Sequence, residues 1–144
     1  FGPDKMVTGE IRPVAGTALD FRSPKPIGRD IASTEEQMRI GGGYDHCFVL
    51  RGPYGGYPRK AAHLAHPDSG RTLELWTTEP GVQLFTANGV DMVGRGGAIY
   101  KPHCGVCLEP QHFQNSPNQP SFPGTVLRPG RTFRSRSEYR FGVA

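Results

Sequence analysis

Residues 60–76, KAAHLAHPDSGRTLELW, contain two strand-like runs on either side of a turn. The turn is His66-Pro67-Asp68-Ser69-Gly70, in which proline presets one backbone angle and glycine accepts a left-handed conformation. We therefore predict strands over residues 60–65 and 72–76 that pair as an antiparallel hairpin. Because similar short runs and turns recur along the chain, this hairpin points to an all-β fold.

The same pattern predicts four further strands, over residues 44–50, 82–86, 105–109 and 132–143. A short helix is predicted over 33–40, with Ser33 or Thr34 as its cap and acidic residues in its first turn. Twenty Gly and 14 Pro without a triplet period favour many turns and argue against long helices. A chain of 144 residues is long enough for one domain with a core.

The net charge of +4 lies largely in residues 128–140, which contain five arginines and a single acidic residue, Glu138. Residues 132–143 alternate between two faces, which predicts a half-buried strand with a solvated charged face. The apolar face would carry Phe133, Tyr139, Phe141 and Val143, and the charged face Arg134, Arg136, Glu138 and Arg140. No aromatic residue interleaves with the arginines on that face, so nucleic-acid binding is not expected.

The three cysteines cannot all pair, which favours a reducing, cytoplasmic compartment. Cys104 and Cys107 are close in sequence, but without a second pair of ligands elsewhere we expect no zinc site. The chain has no apolar run near 18 residues, so we expect no membrane span, and no signal peptide is evident. It begins at Phe1 without an initiator Met, which suggests a fragment or a processed piece, and secretion of a longer precursor stays open.

One acidic residue, Glu109, ends the strand-like run Gly105-Val106-Cys107-Leu108-Glu109. On a strand, Glu109 and Cys107 would face away from Val106 and Leu108, toward a proline-broken loop at residues 110–123. The carboxylate either protects the edge of a sheet from aggregation or acts on a ligand that the loop brings in. Local pattern alone favours the first interpretation.

A second group of polar residues follows three glycines in Gly41-Gly42-Gly43-Tyr44-Asp45-His46. The glycines allow close approach of the backbone, but the stretch lacks the Lys-Ser/Thr ending and the helix of a phosphate loop. Asp45 and His46 are strand neighbours, so they point to opposite faces and cannot form a direct acid/base pair. Asp45 either caps a turn or contacts a ligand.

Several stretches together resemble the C-terminal half of the aldose 1-epimerase (galactose mutarotase) family, in a plant-like form. They follow one another in order: Thr8-Gly9-Glu10-Ile11, Gly16-Thr17-Ala18-Leu19-Asp20-Phe21-Arg22, Ile27-Gly28, Gly43-Tyr44-Asp45-His46, Thr78-Glu79-Pro80-Gly81-Val82-Gln83, Gly105-Val106-Cys107-Leu108-Glu109, Asn118-Gln119-Pro120, Phe122-Pro123 and Leu127-Arg128-Pro129-Gly130. The resemblance covers nearly the whole chain.

The resemblance implies an antiparallel β-sandwich with a concave sugar cleft, a hexose substrate, and no metal or organic cofactor. Glu109 matches the family's catalytic base, while Asp45 and Gln83 match residues that contact the sugar. Such chemistry needs a base for the anomeric hydroxyl and an acid for the ring oxygen. Aromatic residues would support the sugar ring, and the candidates are Phe85, Phe113 and Trp76, the last equally suited to the core.

The family's acid is a histidine in its N-terminal half, and none of the five histidines here lies in a matching context. Pro110 stands where the family usually has threonine, and Gln114-Asn115-Ser116 departs from its usual loop. Residues 1–144 would therefore form a single partial domain, and a companion chain would supply the missing half with its acid histidine. The alternatives are a non-catalytic carbohydrate-binding or interaction protein of the same fold and an unrelated binding module.

Overall fold

The computed structural model describes residues 1–144, which form eight strands and one α-helix. The helix, α1, spans Glu36–Gly41, and short 3-10 helices lie at Ile27–Arg29, Pro67–Ser69, Arg95–Gly97 and Ser116–Asn118. The strands are β1 (Asp45–Val49), β2 (Arg59–His66), β3 (Arg71–Thr77), β4 (Gly81–Phe85), β5 (Met92–Val93), β6 (Ile99–Tyr100), β7 (Cys107–Gln111) and β8 (Ser137–Val143). They form sheets in the orders β1-β4-β7, β2-β3-β8 and β5-β6, and the all-β prediction is confirmed.

The chain divides into two compact units. Unit one comprises Phe1–His46 and Gln83–Cys107, and unit two comprises Cys47–Val82 and Leu108–Ala144. No helix has the length and apolar character that a membrane crossing requires.

In unit two, the predicted hairpin forms between β2 and β3. The strands pair antiparallel with Leu64 opposite Leu73, and β8 pairs antiparallel on the other side of β3. Gly70 closes the turn with φ of 65° and donates its N–H to the Pro67 carbonyl at 3.3 Å. Leu75, in the central strand, is fully buried and anchors the core of this unit.

The prediction for residues 132–143 is partly wrong, because β8 begins only at Ser137. Just before it, Thr78 N–H donates to the Arg136 carbonyl and Arg136 N–H donates to Thr78 Oγ1, both at 3.0 Å. These bonds join the end of β3 to the start of β8, and beyond Thr77 no residue of β3 remains for the earlier residues to pair with.

The burial of β8 also differs from the prediction, because the apolar side chains are exposed along with the arginines. Phe141 and Val143 are each 81% exposed, whereas Glu138 is the least exposed residue of the strand. Arg136 and Arg140 both form ion pairs with Glu138, which shields that carboxylate. No part of the chain covers the apolar side chains, so the alternating pattern gives the faces correctly but not their exposure.

In unit one, α1 lacks the predicted Ser33 or Thr34 cap. Glu35 is the N-cap residue, without a side-chain capping bond, and Ser33 Oγ accepts the Glu35 N–H at 3.2 Å outside the helix. Gly42 ends the helix in the left-handed conformation with φ of 69°. After it, Tyr44 is fully buried and donates its hydroxyl to the Ala18 carbonyl at 3.0 Å.

Strand β7 is shifted two residues beyond the prediction and runs through Pro110. It lies at the edge of its sheet, where a missing backbone N–H is tolerated. The β5–β6 hairpin was not predicted, because strands of two residues carry no periodic signal.

Candidate functional site

Asp45 and Gln83, two of the predicted site residues, form a hydrogen-bonded pair in unit one. Gln83 Nε2 donates to Asp45 Oδ1 at 2.6 Å. Gln83 is 6% exposed and Asp45 is half-buried. They stand on β1 and β4, which are neighbours in one sheet, so the pairing of the strands positions the two side chains. A buried amide that holds a half-buried carboxylate fixes its orientation, which suits the recognition of polar groups on a ligand.

The glycines before Asp45 serve close packing of the backbone. A Cβ atom on Gly43 would lie 2.5 Å from Asn88 Oδ1, and the φ of 133° also requires glycine. The Asn88 amide group donates to the Gly41 carbonyl at 2.8 Å and to the Tyr44 carbonyl at 3.0 Å. The entry to β1 is thereby fixed directly in front of Asp45.

His46 is buried and does not contact the Asp45 carboxylate. Its Nδ1 accepts the Asp45 backbone N–H at 3.0 Å, and its ring lies 5.2 Å from that of Phe1. Burial lowers the pKa of His46, because desolvation penalises the imidazolium form. The other ring nitrogen, Nε2, is buried without a hydrogen-bond partner.

Glu109 lies on β7, in unit two, and its side chain is exposed. Its carboxylate forms no hydrogen bond or ion pair with the rest of the chain. In the sheet, β7 is hydrogen-bonded to β4 and forms an edge. A carboxylate without a protein partner retains its lone pairs to accept a proton from another molecule.

Trp76 does not provide an open platform for a sugar ring. Its indole N–H donates to Glu74 Oε2 at 3.0 Å, and the Arg140 guanidinium lies 4.3 Å from the ring centre. A cation over the ring face and a satisfied N–H give Trp76 a structural role on the sheet surface.

The other two aromatic candidates are half-buried. In unit two, the Phe113 ring packs edge-to-face on Phe122 at 5.2 Å. A Cβ atom on Gly81 would lie 2.9 Å from this ring and from Cys47 Sγ, so β4 needs glycine at that point. Phe85 ends β4 in unit one.

Sequence reasoning missed a carboxylate–imidazole pair in unit two. His112 Nδ1 lies 2.7 Å from Glu79 Oε2, and Glu79 is only 5% exposed. Thr77 Oγ1 accepts the Glu79 N–H at 3.0 Å, which fixes the turn that carries the acid. The two partners stand 33 positions apart, in a turn and in a loop, so no local spacing links them.

The three cysteines are free thiols, and burial raises the pKa of Cys47 to about 11. No group of three or more His, Cys, Asp or Glu side chains is arranged to hold a metal ion.

Comparison with known proteins places this chain in a family. The family model for aldose 1-epimerase matches residues 1–140. Human galactose mutarotase is 40% identical over 139 residues, which are 95% of this chain and 39% of the human protein. The aldose 1-epimerase of Escherichia coli (strain K12) is 35% identical over 134 residues, which are 91% of this chain and 38% of that protein.

A solved structure gives the same result. The crystal structure of a GalM/aldose epimerase homologue from C. elegans superposes with a TM-score of 0.80 and 29% identity, and the match covers 94% of this chain and 40% of that one. The antiparallel sheets of this chain thus have the fold of an aldose epimerase. The chain belongs to the aldose 1-epimerase family, and it spans about two fifths of the length of the relatives it matches.

Proposed function

We propose that the protein containing this chain is an aldose 1-epimerase that interconverts the α- and β-anomers of hexoses such as galactose and glucose. Membership of the family and relatives named as mutarotases support this activity. The observation that carries the proposal is the exposed, unpartnered carboxylate of Glu109 on β7, the residue to which the sequence resemblance assigns the role of the family's base.

In this mechanism Glu109 removes the proton from the anomeric hydroxyl while an acid protonates the ring oxygen. The C1–O5 bond breaks, the free aldehyde rotates about the C1–C2 bond, and ring closure on the other face reverses both proton transfers. Asp45 and Gln83 contact sugar hydroxyl groups. The 2.6 Å bond uses one oxygen of the Asp45 carboxylate, and the second oxygen can accept from a substrate hydroxyl.

We also propose that the chain is the C-terminal half of the family's domain, in a plant-like form, and that a companion segment supplies the acid histidine. The chain covers 39% of the human relative, which leaves room for such a segment. The exposed apolar side chains of Phe141 and Val143 on β8 support the existence of a cover for this sheet.

Polarimetry of freshly dissolved α-glucose or α-galactose tests the activity. The protein should accelerate mutarotation, and Glu109→Gln should lower kcat by about 10²–10⁴-fold, the usual contribution of a general base. The matched control is Glu36→Gln, which removes an exposed carboxylate of α1 in unit one. This control should retain full activity.

Unchanged mutarotation in Glu109→Gln would reject the proposed base. If the wild-type protein binds hexose but does not accelerate mutarotation, the protein is a non-catalytic carbohydrate binder of the same fold. Calorimetric titration with galactose distinguishes that outcome from an unrelated binding module, which would bind no hexose.

A further inference from the structure

Unit two contains a cleft of about 810 Å³ whose charged groups the proposed reaction does not use. Three arginines line it, Arg128, Arg131 and Arg134, together with His112. Glu79 is the only acidic residue in the lining. The volume lies in the range of about 300–1,000 Å³ that small-molecule sites occupy.

A tight turn brings two of the arginines together. Arg131 N–H donates to the Arg128 carbonyl at 3.1 Å, across Pro129 and a Gly130 with φ of 79°. Proline followed by a glycine of positive φ is the sequence of a type II turn, whose first and fourth residues lie within about 7 Å between Cα atoms. The turn therefore keeps the backbone positions of two arginines that line the cleft close together.

The cationic groups have no counter-ion in the protein. Arg128, Arg131 and Arg134 form no ion pair, in contrast to Arg136 and Arg140, which both pair with Glu138. The one acidic side chain of the lining, Glu79, is buried and hydrogen-bonded to His112, so its carboxylate does not pair with these arginines. Clustered like charges raise the energy of the free protein, and an anion would offset that repulsion.

A fourth arginine, Arg59, is hydrogen-bonded to the backbone of the buried acid, Glu79. Arg59 donates from Nη2 to the Glu79 backbone carbonyl at 3.0 Å and from Nε to the Arg51 carbonyl at 2.9 Å. Its Nη1 is buried without a hydrogen-bond partner. A guanidinium bound only by carbonyl groups keeps its full positive charge, which adds to the potential near the cleft.

Aromatic rings complete the lining. The Tyr54 ring meets the His112 ring edge-on at 5.9 Å between centroids, and the Phe133 ring lies 6.4 Å from it. Phe133 is 62% exposed and Tyr54 is 48% exposed, so both rings offer apolar surface to a ligand. Rings of this kind pack against the apolar face of a sugar.

We propose that this cleft binds a phosphorylated sugar, with the phosphate group on Arg128 and Arg131 and the sugar ring against Tyr54 and Phe133. Guanidinium groups match phosphate oxygens in bidentate geometry, and the aromatic walls match the body of the ligand. The site is separate from the proposed reaction, because neither Glu109 nor the Asp45–Gln83 pair lines it.

Calorimetric titration of the full chain with glucose 6-phosphate tests this site, with glucose and inorganic phosphate as partial ligands. Glucose 6-phosphate should bind most tightly of the three. The double variant Arg128→Gln/Arg131→Gln should weaken its binding by about tenfold or more, as expected for lost charge-assisted bonds. The control double variant, Arg39→Gln/Arg95→Gln, removes the same charge from exposed positions of unit one and should bind as the wild type does.

Arginine labelling of the wild-type protein provides a measurement that does not depend on the folding of a variant. Phenylglyoxal followed by peptide mass spectrometry should show that glucose 6-phosphate protects Arg128 and Arg131 and leaves Arg95 reactive. The proposed site would be wrong if both double variants bound glucose 6-phosphate equally weakly, or if the ligand protected all arginines equally from labelling. It would also be wrong if the wild type bound no glucose 6-phosphate at millimolar concentration. The Glu109→Gln variant should retain binding, so the outcome is independent of the proposed mutarotation.

Discussion

Tyr44 is fully buried, and its surroundings oppose ionisation of the phenol. Desolvation raises the pKa of Tyr44 to about 12, and the negative charges of Asp30 and Glu35 add to the effect. In the unfolded chain a tyrosine has a pKa near 10. The folded state thus holds the phenol proton more tightly than the unfolded state does.

The sign of the resulting pH dependence follows from this difference. The stabilisation from Tyr44 is fully present below pH about 10 and is lost as the pH rises toward about 12. Tyr44→Phe should make the free energy of unfolding less dependent on pH in that window. It should also cost about 1 kcal/mol at pH 8, because the bond to the Ala18 carbonyl is lost. Urea unfolding at pH 8, 10 and 11 measures both effects. If the free energy of unfolding depended on pH equally in the wild type and in Tyr44→Phe, the raised pKa of Tyr44 would be contradicted.

At the residue scale, the sequence was most informative where residues matched a known motif. The motifs indicated Asp45 and Gln83 as site residues, and the structure shows that the two side chains are hydrogen-bonded to each other. The role of Glu109 stays a prediction. The Glu79–His112 pair could not be predicted, because tertiary folding alone brings a turn and a distant loop together.

Among the elements, the β2–β3 hairpin and the positions of β1 and β4 followed from local pattern. Turn residues with defined backbone angles and strand periodicity act within a few residues, so they can be recognised without the rest of the fold. Strand β8 could not be predicted in full. Its alternation was visible, but its start depends on the long-range bonds between Thr78 and Arg136.

The exposed face of β8 gives a prediction about this strand. Phe141→Thr/Val143→Thr should lower the fluorescence of the dye ANS, because it removes exposed apolar surface. The free energy of unfolding of the chain should change by less than about 0.5 kcal/mol, as for most surface substitutions.

The contrasting variant on the same sheet is Leu75→Thr. Leu75 is fully buried, and the loss of its side chain should cost more than about 2 kcal/mol. If the β8 double variant destabilised the chain as strongly as Leu75→Thr, the apolar face would be covered and the structural interpretation would be wrong. Urea titration and ANS fluorescence on the same samples provide the comparison.

For the whole molecule, the fold class and the family were predictable because the motifs run in order through nearly the entire chain. The division into two units was not, since it depends on how distant segments pack. The sequence also could not show which sheet faces are covered, because a pattern of alternation does not identify the partner of a face.

The proposed companion segment predicts the mass of the native protein. Native mass spectrometry of material from its source should show this chain within a species larger than 15.7 kDa, either as part of a longer polypeptide or with a second chain. That species should carry the mutarotase activity. A well-folded, active monomer of only 15.7 kDa would contradict the need for a companion segment.

Trp76, held between Glu74 and Arg140, is the only tryptophan of the chain. Its emission therefore reports the environment of one sheet, β2-β3-β8, and of no other part of the molecule. Excitation at 295 nm follows the melting of that sheet, while the tyrosine signal at shorter wavelength also includes Tyr44 of unit one. The two optical signals, recorded on one sample without any label, can show whether the two units unfold together or in sequence.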